Sequence, residues 1–108
     1  IERIYILFPD PWPKARHHRR RMTVAENLAR FARLLADDGL LVFASDQHDF
    51  AAWTLANLLD NRDFEWCARR AADWREAPGD WVRTRYQEKA EAKGLSPVFL
   101  VFRRRRRA

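Results

Sequence analysis

Apolar residues run almost unbroken through RIYILF (residues 3–8). Such a run predicts a β-strand covered on both faces. Pro9, Pro11 and Pro13 follow at alternate positions and exclude regular structure there. The pattern then changes to helical spacing. Thr23 and Glu26 form a T-x-x-E capping box, Leu28, Phe31, Leu34 and Leu35 follow it, and Gly39 supplies a stop. These signals predict a helix over 24–37. LLVFAS (40–45) is a second apolar run of strand length, with Asp46 directly behind it. Residues 47–60 suit a helix whose buried side is Phe50, Trp53, Leu55, Leu58 and Leu59. NRD (61–63) marks a turn, FEWCAR (64–69) alternates like a strand, and 70–83 reads as a loop bending at Pro78-Gly79. Thr84 opens a short polar helix ending near Gly94, SPVFLVF (96–102) is a last strand, and RRRRR (103–107) is a solvated basic tail.

The order strand, helix, strand, helix in the first half predicts an α/β fold with a parallel sheet and right-handed crossovers. The last two strands lack a long crossover helix between them. They are expected to form an antiparallel pair at one edge of the sheet.

Composition narrows the partners. The chain has 108 residues, of which 47% are hydrophobic, enough for one globular domain at most. Lys and Arg number 21 against 15 Asp and Glu, a net charge of +6. That balance favours a polyanionic partner, and nucleic acid is the commonest. No apolar run reaches the roughly 18 residues that span a bilayer, and no signal peptide is visible. Cys67 is the single cysteine, so an intrachain disulfide and a cysteine-based zinc site are excluded, and a reducing cytoplasm fits. The chain opens inside an apolar run without Met, which suggests a piece of a longer domain.

Ligands of open α/β sheets bind beyond the carboxyl ends of the strands. Asp10 and Asp46 each stand at such an end. If their strands are neighbours, the two carboxylates share a rim, and the Thr84 segment leads back toward it. Asp10 sits in FPDPWPKARHHRRR (8–21), where three prolines stiffen the backbone and Trp12 stands ready to screen the acid from water. Behind it come Lys14, Arg16, Arg19, Arg20 and Arg21, with His17 and His18 among them. Simpler roles exist for several of these. Asp46 or Ser45 is equally suited to capping the following helix, Thr84 with Gln87 forms a T-x-x-Q box, and adjacent histidines lack metal-ligand spacing. Trp53, Trp66, Trp74 and Trp81 suit anchoring positions better than base-stacking platforms.

FPDPWPK followed by RHHRRR resembles the signature of the bacterial tRNA (guanine-N7-)-methyltransferase family. Ala44-Ser45-Asp46 resembles that family's small-polar-Asp step, and Thr84-Arg85-Tyr86-Gln87 its Thr-x-aromatic-Glu segment. The resemblance covers nearly the whole chain. It implies the C-terminal half of a Rossmann-like methyltransferase domain over 1–102, followed by a basic tail at 103–108. It also implies S-adenosylmethionine as cofactor, tRNA as partner, no metal, and a monomer. Asp10 becomes the active-site acid, near both the methyl group and the base. Lys14, Asp46, Thr84, Arg85, Tyr86 and Gln87 become substrate contacts, and Arg16, His17, His18, Arg19, Arg20 and Arg21 RNA contacts. Two departures stand out. Gln87 replaces the family's usual Glu, and the family's glycine-rich cofactor loop lies upstream of the first strand here. A non-catalytic RNA-binding module and an adenine amino-methyltransferase are the alternatives.

Overall fold

A computed structural model describes residues 1–69, 72–75 and 96–107. Among these residues, four strands form one sheet: β1 (Arg3–Leu7), β2 (Leu40–Ser45), β3 (Phe64–Trp66) and β4 (Val98–Arg104). The described α-helices are α1 (Ala25–Leu34), α2 (His48–Leu59) and the single turn α3 (Ala72–Arg75). A 3₁₀ segment, Ala15–Arg20, connects the proline stretch to α1.

The sheet order is β1-β2-β4-β3, with β1 parallel to β2 and β4 antiparallel to both its neighbours. The expected antiparallel edge pair is present, and β4 is the inner member of it. β2 is buried on both faces, as its unbroken apolar run implies. β1 departs from that expectation: Arg3 and Tyr5 are exposed, and among the described strands only β2 pairs with it.

The core is one cluster in which Leu28, Ala32 and Leu35 from the α1 region meet Phe50, Ala51 and Leu58 from α2 over Leu41, Phe43, Leu100 and Phe102 of the sheet. Phe43 and Phe50 pack edge to face at 5.3 Å. Phe43, Phe50 and Phe102 are fully buried, each worth about 1.5–3 kcal/mol of transfer free energy. Both helices are shorter at their ends than expected, and Leu34 and Leu59 are more than half exposed. They lie where the apolar stripe has drifted off the core-facing side.

Thr23 does not cap α1. Val24 occupies the cap position without a side-chain bond, and Thr23 is wholly buried with its hydroxyl 2.7 Å from that of Thr54. Met22 is tied to α1 instead by Asn27, whose amide donates to its carbonyl at 3.1 Å.

The basic run is not a free tail from 103 onward. Arg103 and Arg104 belong to β4, and Arg104 is 8% exposed. Its backbone N–H donates to the Gly39 carbonyl at 2.7 Å and its Nε to the Ala32 carbonyl at 2.7 Å. Arg107 donates to Asp37 and to the carbonyls of Ala32 and Leu35. Cationic donors thus meet the unpaired carbonyls at the end of α1, where the helix dipole also favours positive charge. Gly39 is needed at this junction. A Cβ there would come within 2.9 Å of the Ala36 carbonyl oxygen and 3.0 Å of that of Glu2.

Candidate active site

β1 and β2 are adjacent and parallel, with Leu7 opposite Ala44. Beyond that rung the Phe8 N–H donates to the Ala44 carbonyl at 2.8 Å, extending the ladder by one bond. The chains then part toward Asp10 and Asp46. The two acids leave the same rim of the sheet, as their places at the ends of neighbouring parallel strands require.

The backbone on both sides of Asp10 is held in an uncommon shape. Phe8 and Trp12 have φ of 51° and 43°, left-handed values that cost a non-glycine residue roughly 1–3 kcal/mol each. Two anchors sustain that shape. One is the Phe8 bond to β2. The other is Arg21, whose Nε donates to the Pro11 carbonyl at 2.7 Å.

Arg21 is 4% exposed. Its guanidinium carbon lies 4.9 Å from the centre of the Phe50 ring and 4.8 Å from that of Trp53. Burial lowers the pKa of Arg21, and the charge of Asp49 works in the opposite direction. Arg21, expected as an RNA contact, has its Nε turned inward, onto the Asp10 loop.

The histidines share this bracing role. The His17 ring meets Trp12 edge-on at 5.6 Å, and His18 meets Trp53 at 5.8 Å with its Nε2 3.3 Å from the Pro13 carbonyl. Both are half-buried. Arg20 also lies against Trp12, 5.1 Å from the ring centre. Trp12 does not screen Asp10, which is exposed to solvent.

The remaining cations point outward. Lys14, Arg16, Arg19 and Arg20 are all exposed, on or just before the 3₁₀ segment. The segment follows the Asp10 loop directly in sequence, so this charge begins four residues after the acid.

Asp46 is half-buried ahead of α2. It does not cap the helix. Ser45 is the residue that turns back, its hydroxyl accepting from the Gln47 N–H at 3.0 Å. No described residue forms a hydrogen bond or ion pair with either the Asp10 or the Asp46 carboxylate. Both are free to engage a ligand.

Thr84, Arg85, Tyr86 and Gln87 lie outside the described residues, as do Trp81 and Gly94. A cavity of about 740 Å³ beside α2 and the start of β4 is walled by Leu55, Trp66, Trp74 and Leu100, and none of the described expected site residues lines it. Sequence reasoning missed the Arg21 bond and the ring pair that receives it. The only signal was an arginine adjoining the apolar start of a helix. Among the described residues, no group of three or more His, Cys, Asp or Glu side chains is placed to hold a metal ion.

A family model described as "Putative methyltransferase" matches residues 1–100. The chain belongs to this methyltransferase family. Curated relatives sharpen the comparison. The chain is 52% identical over all 108 of its residues to a tRNA (guanine-N(7)-)-methyltransferase of Rhodospirillum rubrum, covering 42% of that protein. It is 46% identical over 104 residues to the enzymes of the same name from Rhizobium meliloti and Ruegeria pomeroyi, covering 96% of this chain and 45% and 44% of theirs. The resemblance carried by FPDPWPK and RHHRRR is thus matched along essentially the whole chain. The chain spans less than half the length of these relatives.

Methyltransferases of this family imply S-adenosylmethionine, and the rim fits part of that molecule. The free carboxylate of Asp10 suits a sulfonium cation. Among the described residues the adenosine portion finds no glycine-rich loop: the one described glycine, Gly39, sits just before β2, at the opposite end of that strand from Asp46. Asp10 is accordingly the described residue that would meet this group.

Proposed function

We propose that the full-length protein carrying this chain transfers a methyl group from S-adenosylmethionine to N7 of a guanine in tRNA. The observation that carries this reading is the shared rim: two carboxylates without a partner among the described residues, at the ends of adjacent parallel strands, with an exposed cationic surface beginning four residues after the first. The names of the relatives supply the base and the RNA.

Guanine N7 has an available lone pair and needs no strong base. The cofactor supplies an electrophilic methyl group. What remains for the protein is alignment and a charge-matched pocket. Asp10, held by its strained and anchored loop, balances charge near the methyl donor and faces the base. Asp46 accepts hydrogen bonds from the Watson–Crick edge of guanine, and Lys14 contacts the substrate beside it. Arg16, Arg19 and Arg20 neutralise phosphates, reading shape and charge in preference to sequence. His17 and His18 support that surface from within. Thr84, Arg85, Tyr86 and Gln87 close over the substrate from the segment leading into β4. The target base leaves its stack to reach the site. The protein acts as a monomer in the cytoplasm, where tRNA resides. No described helix is long and apolar enough to cross a membrane.

The test is methyl transfer from labelled S-adenosylmethionine to tRNA by the full-length protein, followed by digestion of the RNA. Labelled 7-methylguanosine is expected. Labelled methyladenosine assigns the chemistry to adenine, and no label in the presence of tRNA binding leaves an RNA-binding module. For the 108 residues alone, the scattered glycines favour the binding-module reading. Calorimetry with S-adenosylmethionine is expected to show negligible heat for them.

A further inference from the structure

Arg21 is the one Lys or Arg of the run 14–21 that is buried, while Lys14, Arg16, Arg19 and Arg20 are exposed. Its Nε donates to the Pro11 carbonyl at 2.7 Å, and its guanidinium lies against both Phe50 and Trp53. Pro11 directly follows Asp10, and its ring already fixes φ. Fixing its carbonyl fixes ψ as well, leaving that residue no soft backbone torsion. Trp12, next in line, stands at φ 43° and needs an external hold to stay there.

The other end of the hold matters equally. Phe50 and Trp53 belong to the first half of α2, the helix that follows Asp46. The hydrogen bond and the ring contacts therefore join the loop bearing Asp10 to the helix bearing down on Asp46. Thr23 strengthens the same junction two residues on, through its hydroxyl bond to Thr54 and through its carbonyl, which accepts from Asn57 Nδ2 at 3.3 Å.

We propose that Arg21 is a positioning residue. It sets the Asp10 carboxylate against Asp46 by clamping Pro11 to α2, and it takes no part in holding RNA phosphates. This inference rests on the reading of Asp10 as the active-site acid.

The planar guanidinium is suited to this in a way that lysine is not. It donates from Nε while its guanidinium lies against two neighbouring aromatic rings. Arg21→Met keeps much of the packing and loses the donor. Arg21→Lys keeps a charge and one donor but loses the planar stacking.

The experiment measures kcat and KM for tRNA in the full-length protein, alongside thermal unfolding. A misplacement of about 1 Å at a reacting group costs on the order of 10²-fold in rate. Arg21→Met is expected to lose about that factor in kcat, with KM for tRNA and the salt dependence of tRNA binding unchanged. Arg21→Lys is expected to show a smaller loss of the same kind. Exogenous guanidinium is expected to restore turnover to Arg21→Ala. A loss confined to KM, or a weakened salt dependence, overturns the proposal by making Arg21 a phosphate contact. If Arg21→Met does not fold, Arg21→Lys decides: full kcat overturns the proposal, and reduced kcat at unchanged KM supports it. An active Asp10→Asn would instead defeat the reading of Asp10. Inactive Asp10→Asn beside fully active Arg21 variants would defeat the clamp alone.

Discussion

Leu7 stands opposite Ala44 in the parallel β1–β2 ladder, so Asp10 and Asp46 diverge from one rung, three and two residues further on. Asp10 has no described partner and lies exposed. Its removal therefore breaks no hydrogen bond or ion pair among the described residues. Asp10→Ala in the full-length protein is expected to unfold at the wild-type temperature and bind tRNA within about twofold of wild type. Methyl transfer is expected to fall by at least about 10²-fold, the scale of losing one preorganised electrostatic group. Single-turnover transfer together with filter binding checks both halves.

The cationic surface gives the converse result. Arg19 and Arg20 are exposed on the 3₁₀ segment. Each phosphate contact contributes roughly 0.7–0.9 to the slope of log affinity against log salt. Replacing both with Ala is expected to weaken tRNA binding and reduce that slope by up to about 2, with little change in kcat at saturating tRNA. Titrations at several salt concentrations measure it.

Much of this arrangement was legible in the sequence. Unbroken apolar runs announced β1, β2 and β4, and the rule that ligands gather at the carboxyl ends of parallel strands located the rim. What escaped notice depends on contacts distant along the chain. Thr23 satisfied every local requirement of a helix cap, yet its hydroxyl found Thr54, thirty-one positions away. Three successive arginines look alike in sequence. Only the turn of the 3₁₀ segment separates Arg19 and Arg20, which face solvent, from Arg21, which faces Phe50 and Trp53. The terminal arginines were expected to be solvated because nothing local opposes them. Their partners, Asp37, Asp38 and the end of α1, lie some seventy positions upstream.

The buried hydroxyl pair yields a test of packing. Thr23 and Thr54 are both fully buried, with the oxygens 2.7 Å apart. Thr23→Val strands the Thr54 hydroxyl, and Thr54→Val strands that of Thr23. Each is expected to cost about 1–3 kcal/mol, because an unpaired buried polar group keeps its desolvation penalty. The double Val variant removes both groups at nearly constant shape and is expected to cost less than the sum of the two. Denaturant unfolding of the four proteins completes the cycle, and strict additivity would mean that the two hydroxyls do not interact.

The strap of terminal arginines makes stability depend on pH in a defined direction. The Asp37 carboxyl is held below its ordinary value of 3.8, first by the hydrogen bond from Arg107. Glu65 is held below its ordinary 4.5, first by the hydrogen bond from Arg103. A carboxylate whose folded-state pKa is depressed contributes stability above its unfolded value and loses it as pH falls through the folded one. Wild type is therefore expected to exceed Asp37→Asn in stability at about pH 6, with the difference shrinking below about pH 4. Glu65→Gln is expected to follow the same course, beginning slightly higher in pH. Both acids are exposed at the surface, so raising the salt concentration is expected to narrow each difference at neutral pH. Thermal unfolding across that range measures the effect. A difference that grew toward acid would mean that the arginines of the strap repel one another more than the acids hold them.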